Sequence, residues 1–437
     1  MLKTIPGVCV LFYSTFIFSQ SLYFPPINGS TWETISPVEL GWCENEIEPL
    51  LDYLKENESK AFILLKDGKI VIEKYFDSYT QDSIWYWASA GKSMTGFLMG
   101  LAQQESLLSI SEMTSKYLGP AWTVCPLDKE NLITVKHQLS MTTGLDDKVA
   151  DIYCTLNTCL QFRADAGTRW AYHNAPYTLL DEVIESASGQ NLNSFLSQRL
   201  RGQTGIIGLY VKSGYNNVLY SKPRMMARFG LLMLNKGNWN GTSILHDANY
   251  YQAVINSSQS INKSYGYLWW LNGKESYMVP GVQYVYTGSM NPNAPNDMFS
   301  ALGKNGQILN VVPSQNLVLI RMGDDPGAGD VPINFNDEIW KRVNKVICNT
   351  TQNNDEKTKD KNITCFINFA SKKIDISVPN EYFSIKLVDL NGNVIFGKEH
   401  AYNQINIPTL KFASGLYYIL IQPDIGHKFQ KKLLILN

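Results

Sequence analysis

Residues 349–362, NTTQNNDEKTKDKN, constrain what this chain can fold into more than any other stretch. The segment is polar, charged and poor in apolar side chains, so it offers nothing to a packed core and reads as a linker. A long unit therefore precedes it and a short one follows. Within the long unit, strand-like segments stand at both ends and helical ones between. Residues 61–76, AFILLKDGKIVIEKYF, read as a hairpin around Asp67-Gly68. Residues 298–302, 307–312 and 317–322 read as successive strands joined by GKNG and PSQN turns, with the aromatic-rich 265–271 as a further strand-like run. Helices are expected over about 88–104, from near Pro176 to a stop at Gly189, and over 222–234. One sheet built from both ends of the unit, with a helical insertion beside it, satisfies this order. Beyond the linker, residues 363–437 alternate apolar and polar side chains, as in 374–378 and 383–387, around the turn pair Asn391-Gly392. That pattern predicts a small all-β sandwich of about seven strands.

Composition narrows the class. Hydrophobic residues make up 44% and charged residues 18% of the 437, which is a core-forming balance. With 38 basic and 39 acidic residues, the net charge is −1, so nothing points to nucleic acid or an anionic membrane surface as a partner. Lys3 followed by a mostly apolar run over 5–18 reads as a signal peptide, residues 1–20. Its removal leaves Cys43, Cys125, Cys154, Cys159, Cys348 and Cys365, an even count that permits disulfides in an exported chain. Cys154 and Cys159 are close enough to close a small loop. No His or Cys stands at zinc-finger spacing, and neither a metal nor another cofactor is expected.

Ser89-Ala90-Gly91-Lys92 opens an apolar helical stretch. Residues i and i+3 share a helix face, so the Ser89 hydroxyl and the Lys92 amine are within reach of each other. A serine needs a base to become a nucleophile, and a lysine serves when burial disfavours its ammonium form. The spacing alone is weak, because Ser260-Ile-Asn-Lys263 repeats it in a polar stretch with no apolar helix behind it. Tyr172-His173-Asn174 stands just before the helix near Pro176. A tyrosine beside a lysine moves protons, and an asparagine holds a substrate amide or the lysine. Tyr215-Asn216-Asn217 repeats that triplet in a glycine-flanked turn and is set aside. Gly303-Lys304-Asn305-Gly306-Gln307 joins two strands, where a backbone N–H beside the serine would complete an oxyanion hole. His173 and His137 are not assigned to the site, and Trp269 and Trp270 are assigned to the core.

In this order, SAGK, YHN and a late glycine-containing strand resemble the class C β-lactamase and penicillin-binding family, as do ITVKHQLSMTTGL (133–145), YTLLDEVIESASGQNL (177–192) and MMARFGLLMLNKGNW (225–239). The resemblance implies an α/β (α+β) fold, a β-lactamase/transpeptidase-like antiparallel sheet flanked by helices with a helical subdomain. It also implies an acyl-enzyme mechanism, with Ser89 attacking a carbonyl and Lys92 and Tyr172 moving its proton. Asn174, Gly303 and Lys304 would bind substrate, Lys304 through its backbone. Lactamases of this group carry K-[ST]-G on the late strand. Here that triplet is missing, and Lys212-Ser213-Gly214 precedes the 222–234 helix. The GKNGQ pattern resembles instead the esterase and 6-aminohexanoate-dimer hydrolase branch, which implies a small-molecule or peptide-like ester or amide substrate. A true β-lactamase or D-alanyl-D-alanine carboxypeptidase is the first alternative, and a non-catalytic cell-wall peptide binder the second. VDLNGNVIFGK, SGLYYILI and the terminal KKLLILN resemble the type A sorting domain of the Bacteroidota type IX secretion system. That implies a partner in the secretion machinery and a secreted or cell-surface location. The expected organisation is a signal peptide (1–20), a hydrolase domain (21–348), a linker (349–362) and a sorting domain (363–437).

Overall fold

The computed structural model describes residues 22–327, 329–348, 363–368, 372–389, 392–424 and 429–435. The expected signal peptide, the linker and Asn391 of the Asn391-Gly392 turn lie outside the described residues.

Helix α1 (Ile47–Glu56) leads into strands β1 (Ser59–Lys66) and β2 (Lys69–Tyr75). Asp67 and Gly68 join the two strands at φ of 52° and 83°, the paired positive angles of the tight turn whose twist matches a hairpin. Helix α2 (Gly91–Gln104), short helix α3 (Asn174–Thr178), α4 (Leu180–Ser188) and α5 (Pro223–Leu234) follow. The chain then returns to the sheet as β3 (Trp270–Leu271), β4 (Phe299–Gly303), β5 (Gln307–Val312) and β6 (Leu317–Gly323), and closes the unit with α6 (Ile333–Ile347). The six strands are ordered β2-β1-β6-β5-β4-β3 and are antiparallel throughout. Both ends of the unit thus build one sheet, because β1 pairs with β6 from Ser59 opposite Gly323 to Lys66 opposite Leu317.

Every residue of β5 and β6 is buried, as a sheet covered on both faces requires. Side chains alternate between faces along a strand. Val318 lies against Gly230 of α5, while Arg321, three residues on, lies against Phe335 of α6. The two helices therefore cover opposite faces. A disulfide between Cys43 and Cys348 ties the entrance of the unit to its exit, and another joins Cys154 to Cys159. Cys125 and Cys365 are free.

Three elements differ from expectation. The helix expected to start near Pro176 begins at Asn174, which brings Asn174 itself into the first turn. Of the aromatic run 265–271 only Trp270 and Leu271 join the sheet. Leu268 takes φ of 61° and the Gly266 N–H donates to the Trp269 carbonyl, so the segment folds back before it pairs. The tail has five described strands where about seven are expected: β7 (Thr364–Asn368), β8 (Lys373–Val388), β9 (Val394–Pro408), β10 (Gly415–Pro423) and β11 (Phe429–Ile435). β8 and β9 each run through what reads as two strands. Positive φ at Asn380, His400 and Asn403 bends them at a register shift, so the first half of β8 pairs with β7 and the second with β10. The alternating residues Ile374, Ile376, Val378, Ile385 and Leu387 form the tail's own core.

Candidate active site

Ser89 stands in a single 3-10 turn, Ala88–Ala90, that runs straight into α2. Two anchors hold the turn: the Trp87 N–H donates to the Leu219 carbonyl at 2.8 Å, and the Trp87 indole donates to Ser221 Oγ at 2.8 Å. Ala88 takes φ of 46°, a left-handed conformation that costs a residue with a Cβ about 1–2 kcal/mol. Such strain persists only where packing enforces it, and here it aims the next residue, Ser89.

Helix α2 is buried along its whole first twelve residues, Gly91 to Ala102. Its polar side chains therefore need partners inside the protein. Ser93 donates to the Leu268 carbonyl at 2.7 Å, and the Thr95 hydroxyl meets Tyr210 Oη at 3.0 Å. Lys92 Nζ donates to Ser89 Oγ at 2.9 Å and to Asn174 Oδ1 at 2.7 Å. The amine also lies 5.0 Å from the ring centre of Tyr172 and 4.2 Å from that of Tyr177. Burial pushes the Lys92 ammonium down to about 7, against the opposing pull of Asp181. At neutral pH a substantial fraction of Lys92 is thus the free amine, able to take a proton from the serine.

Tyr172 is buried and stacked on Trp270, ring centres 5.6 Å apart at 25°. Burial raises its phenol above the ordinary range, with a smaller opposing effect from its hydrogen bond to Ser89. Tyr172 therefore remains a neutral hydroxyl at neutral pH. Gly303 closes the other side. A Cβ on it would stand 2.4 Å from the Trp87 carbonyl and 3.0 Å from the Ser89 nitrogen, so only glycine lets β4 lie against the serine's backbone. Lys304 follows at the start of a tight turn, and Arg321 fixes that turn by donating to the Asn305 and Gly306 carbonyls at 2.7 and 3.0 Å.

Two clefts meet at Ser89. One, of about 320 Å³, is lined by Lys92, Asn174, Tyr86, Tyr177, Asn217 and Tyr220 among others. The second, of about 120 Å³, is lined by Tyr172, Tyr153, Asp147 and Asp330, and Lys304 borders both. The structure thus brings Ser89, Lys92, Tyr172, Asn174, Gly303 and Lys304 together. Of the repeated motifs, the triplet set aside in the glycine-flanked turn does reach the site, since Asn216 and Asn217 line the larger cleft, while the other two do not. Lys263 pairs with Glu275 near the surface, and Lys212-Ser213 lies on the exposed strand Leu209–Ser213. His173 is buried and held neutral, its imidazolium pushed down to about 4 by burial, while His137 closes a capping box on Thr134. Among the described residues, no group of His, Cys, Asp or Glu could hold a metal ion.

Four residues around the site escape motif reasoning. Trp270 backs Tyr172, Tyr177 covers the Lys92 amine, Arg321 holds the turn, and Asp181 lies buried close enough to act on Lys92. Only Asp181 leaves a local signal, a charge on the apolar side of an amphipathic helix.

The family model described as Beta-lactamase matches residues 54–334, and the model described as Secretion system C-terminal sorting domain matches residues 366–436. An uncharacterized protein of Alkalihalophilus pseudofirmus is 24% identical over 313 residues, covering 63% of this chain and 86% of its own. Among solved structures, one described as a 6-aminohexanoate-dimer hydrolase from Bacillus anthracis aligns with a TM-score of 0.56 at 19% identity, over 72% of this chain and 87% of that one. EstA from Arthrobacter nitroguajacolicus aligns with a TM-score of 0.53 at 16% identity, over 73% and 99%. At these identities the solved structures speak for the fold. The sorting domain marks the chain for export to the cell surface or beyond.

Proposed function

The chain belongs to the β-lactamase family of serine hydrolases, and from that premise we propose that it cleaves an ester or amide through an acyl-enzyme on Ser89. One observation carries the proposal: a buried Lys92 amine, lowered to about 7, hydrogen-bonded to Ser89 Oγ at 2.9 Å. As Ser89 Oγ attacks the substrate carbonyl carbon, its proton passes to the Lys92 amine. The carbonyl oxygen becomes an oxyanion that the backbone N–H groups of Ser89 and Lys304 receive. Tyr172 relays the proton to the leaving group, whose bond to the carbonyl breaks. Water then attacks the acyl-enzyme along the reverse proton route, releasing the acid and restoring Ser89. Asn174 holds Lys92 in line throughout.

The walls of the clefts support the substrate class. Where lactamases present K-[ST]-G to a carboxylate, β4 presents Ala301-Leu302-Gly303, which offers neither a cation nor a hydroxyl. Tyrosines and amides line the larger cleft. These features favour neutral esters or amides over β-lactams. Purified full-length protein offered p-nitrophenyl esters, short linear amides and nitrocefin tests the assignment. Turnover of esters or amides, lost in Ser89→Ala, is the expected result. Fast nitrocefin turnover would move the protein to the lactamase branch.

A further inference from the structure

Lys92 is buried, and an ammonium there has three N–H donors to satisfy. Ser89 Oγ takes one at 2.9 Å and Asn174 Oδ1 another at 2.7 Å. Among the described residues, no third oxygen lies within hydrogen-bond distance of Nζ. An aromatic face stands there instead: Nζ lies over the Tyr177 ring, 4.2 Å from its centre. The face of an aromatic ring carries negative potential and attracts a cation within about 6 Å, most strongly where water is excluded. The Tyr172 ring is farther away, at 5.0 Å, and its hydroxyl already has a part in the proton relay.

The fold holds this ring from two sides. Asn174 and Tyr177 stand three residues apart on α3, so both reach Lys92 from one helix face. Thr95 stands three residues after Lys92 on α2, and its hydroxyl meets Tyr177 Oη at 3.5 Å. Tyr177 is buried, and burial raises its phenol well above the ordinary range, so it stays neutral. Two charged groups stand near Lys92. Asp181 on α4 is pushed up to about 8 by burial, so it is mostly protonated where Lys92 titrates, near 7. Lys304 borders the cleft with an exposed side chain that pairs with Asp330 at 3.8 Å. The Tyr86, Tyr153 and Tyr220 phenols and the Asn216 and Asn217 amides complete the cleft wall.

We infer that Tyr177 is a positioning residue for the base: its ring face serves as the third partner of the Lys92 ammonium and stabilises the charge that Lys92 acquires on taking the Ser89 proton. The inference rests on the assignment of Lys92 as the base of Ser89. Burial alone favours the free amine, and the ring restores part of the proton affinity that a base needs. The ring face, and not the hydroxyl, carries this part.

The test is the pH dependence of ester kcat/KM in the full-length protein, with phenylalanine and pentafluorophenylalanine placed in turn at position 177. Tyr177→Phe keeps the ring face, so the acid limb should stay where the parent has it. Pentafluorophenylalanine keeps the ring's shape and burial but reverses the potential of its face. The limb should then move to lower pH by about half a unit to one unit. A purely structural role would lower activity equally at all pH values and leave the limb in place. Limbs that coincide for the two rings, in proteins that still label with a fluorophosphonate, overturn the inference. So does a limb that already moves in Tyr177→Phe. If the fluorinated protein does not fold, Tyr177→Leu removes the ring face with the same expected direction, and an unmoved limb there overturns it instead. Hydrolysis that survives Ser89→Ala is a separate result, and it removes the assignment on which the inference stands.

Discussion

Ser89–Lys92 and Ser260–Lys263 share one spacing and end in different surroundings. The first pair sits at the head of a helix buried through residues 91–102, and Lys92 is 4% exposed. The second lies in a non-helical segment after Val254, where the Lys263 side chain is 40% exposed and pairs with a Glu275 side chain that is 71% exposed. An amine in water keeps its proton and an ion pair there contributes little. An amine enclosed by Tyr172, Tyr177 and Asn174 loses the solvation that made it a cation. The spacing brings serine and lysine near each other, while burial lowers the lysine's affinity for its proton.

Substitutions at the two pairs should separate them by orders of magnitude. Ser89→Ala is expected to lower kcat/KM for a p-nitrophenyl ester by about 10⁴–10⁶-fold, while Ser260→Ala leaves it unchanged. Lys92→Met should cost about 10²–10⁴-fold in steady-state rate, the usual worth of a general base. Lys263→Met should cost nothing in rate and less than about 0.5 kcal/mol in urea-measured stability. Equal losses at the two lysines would break the comparison. Tyr172→Phe keeps the ring on Trp270 and removes the hydroxyl, so about 10²-fold is expected in kcat, with thermal midpoint retained.

The smallest expected effect concerns stability against pH. Lys92 titrates near 7 in the fold, below its ordinary 10.5. Between those values the unfolded chain holds a proton that the folded one has released, so this contribution to stability falls as pH drops from about 10 towards 7. Asp181, raised to about 8 from 3.8, acts oppositely: the fold holds the proton, and its contribution falls as pH rises through that window. Urea midpoints of Lys92→Met between pH 7 and 10 should therefore vary less with pH than those of the parent, while Lys263→Met should follow the parent.

Much of this arrangement is legible in the chain, and the parts that are not have physical reasons. The hairpin at Asp67-Gly68, the strands around GKNG and PSQN and the 222–234 helix follow from turn chemistry and local periodicity. Ser89, Lys92, Tyr172 and Asn174 stand out as candidates because each motif lies at a helix start, where local sequence decides direction. The Trp270–Tyr172 stack, the Arg321 bonds to the turn carbonyls and the Cys43–Cys348 bridge join residues far apart in the chain, and spacing carries no record of them. Strand 265–271 fails for a related reason: its aromatics suit a strand, but Leu268 in a left-handed conformation spends them on the core behind Tyr172. Asp181 belongs to no motif; its one trace is a charge on the apolar side of its helix, and periodicity does not say which neighbour will cover it.

Ser89 is proposed as a nucleophile made reactive by a buried, partly neutral Lys92. The rate of fluorophosphonate labelling as a function of pH, with the adduct located by mass spectrometry, tests it most directly. A single adduct on Ser89, a rate that rises with pH through about 7, and loss of that labelling in Ser89→Ala are the expected results. An adduct on Ser260 or elsewhere that persists in Ser89→Ala would contradict it.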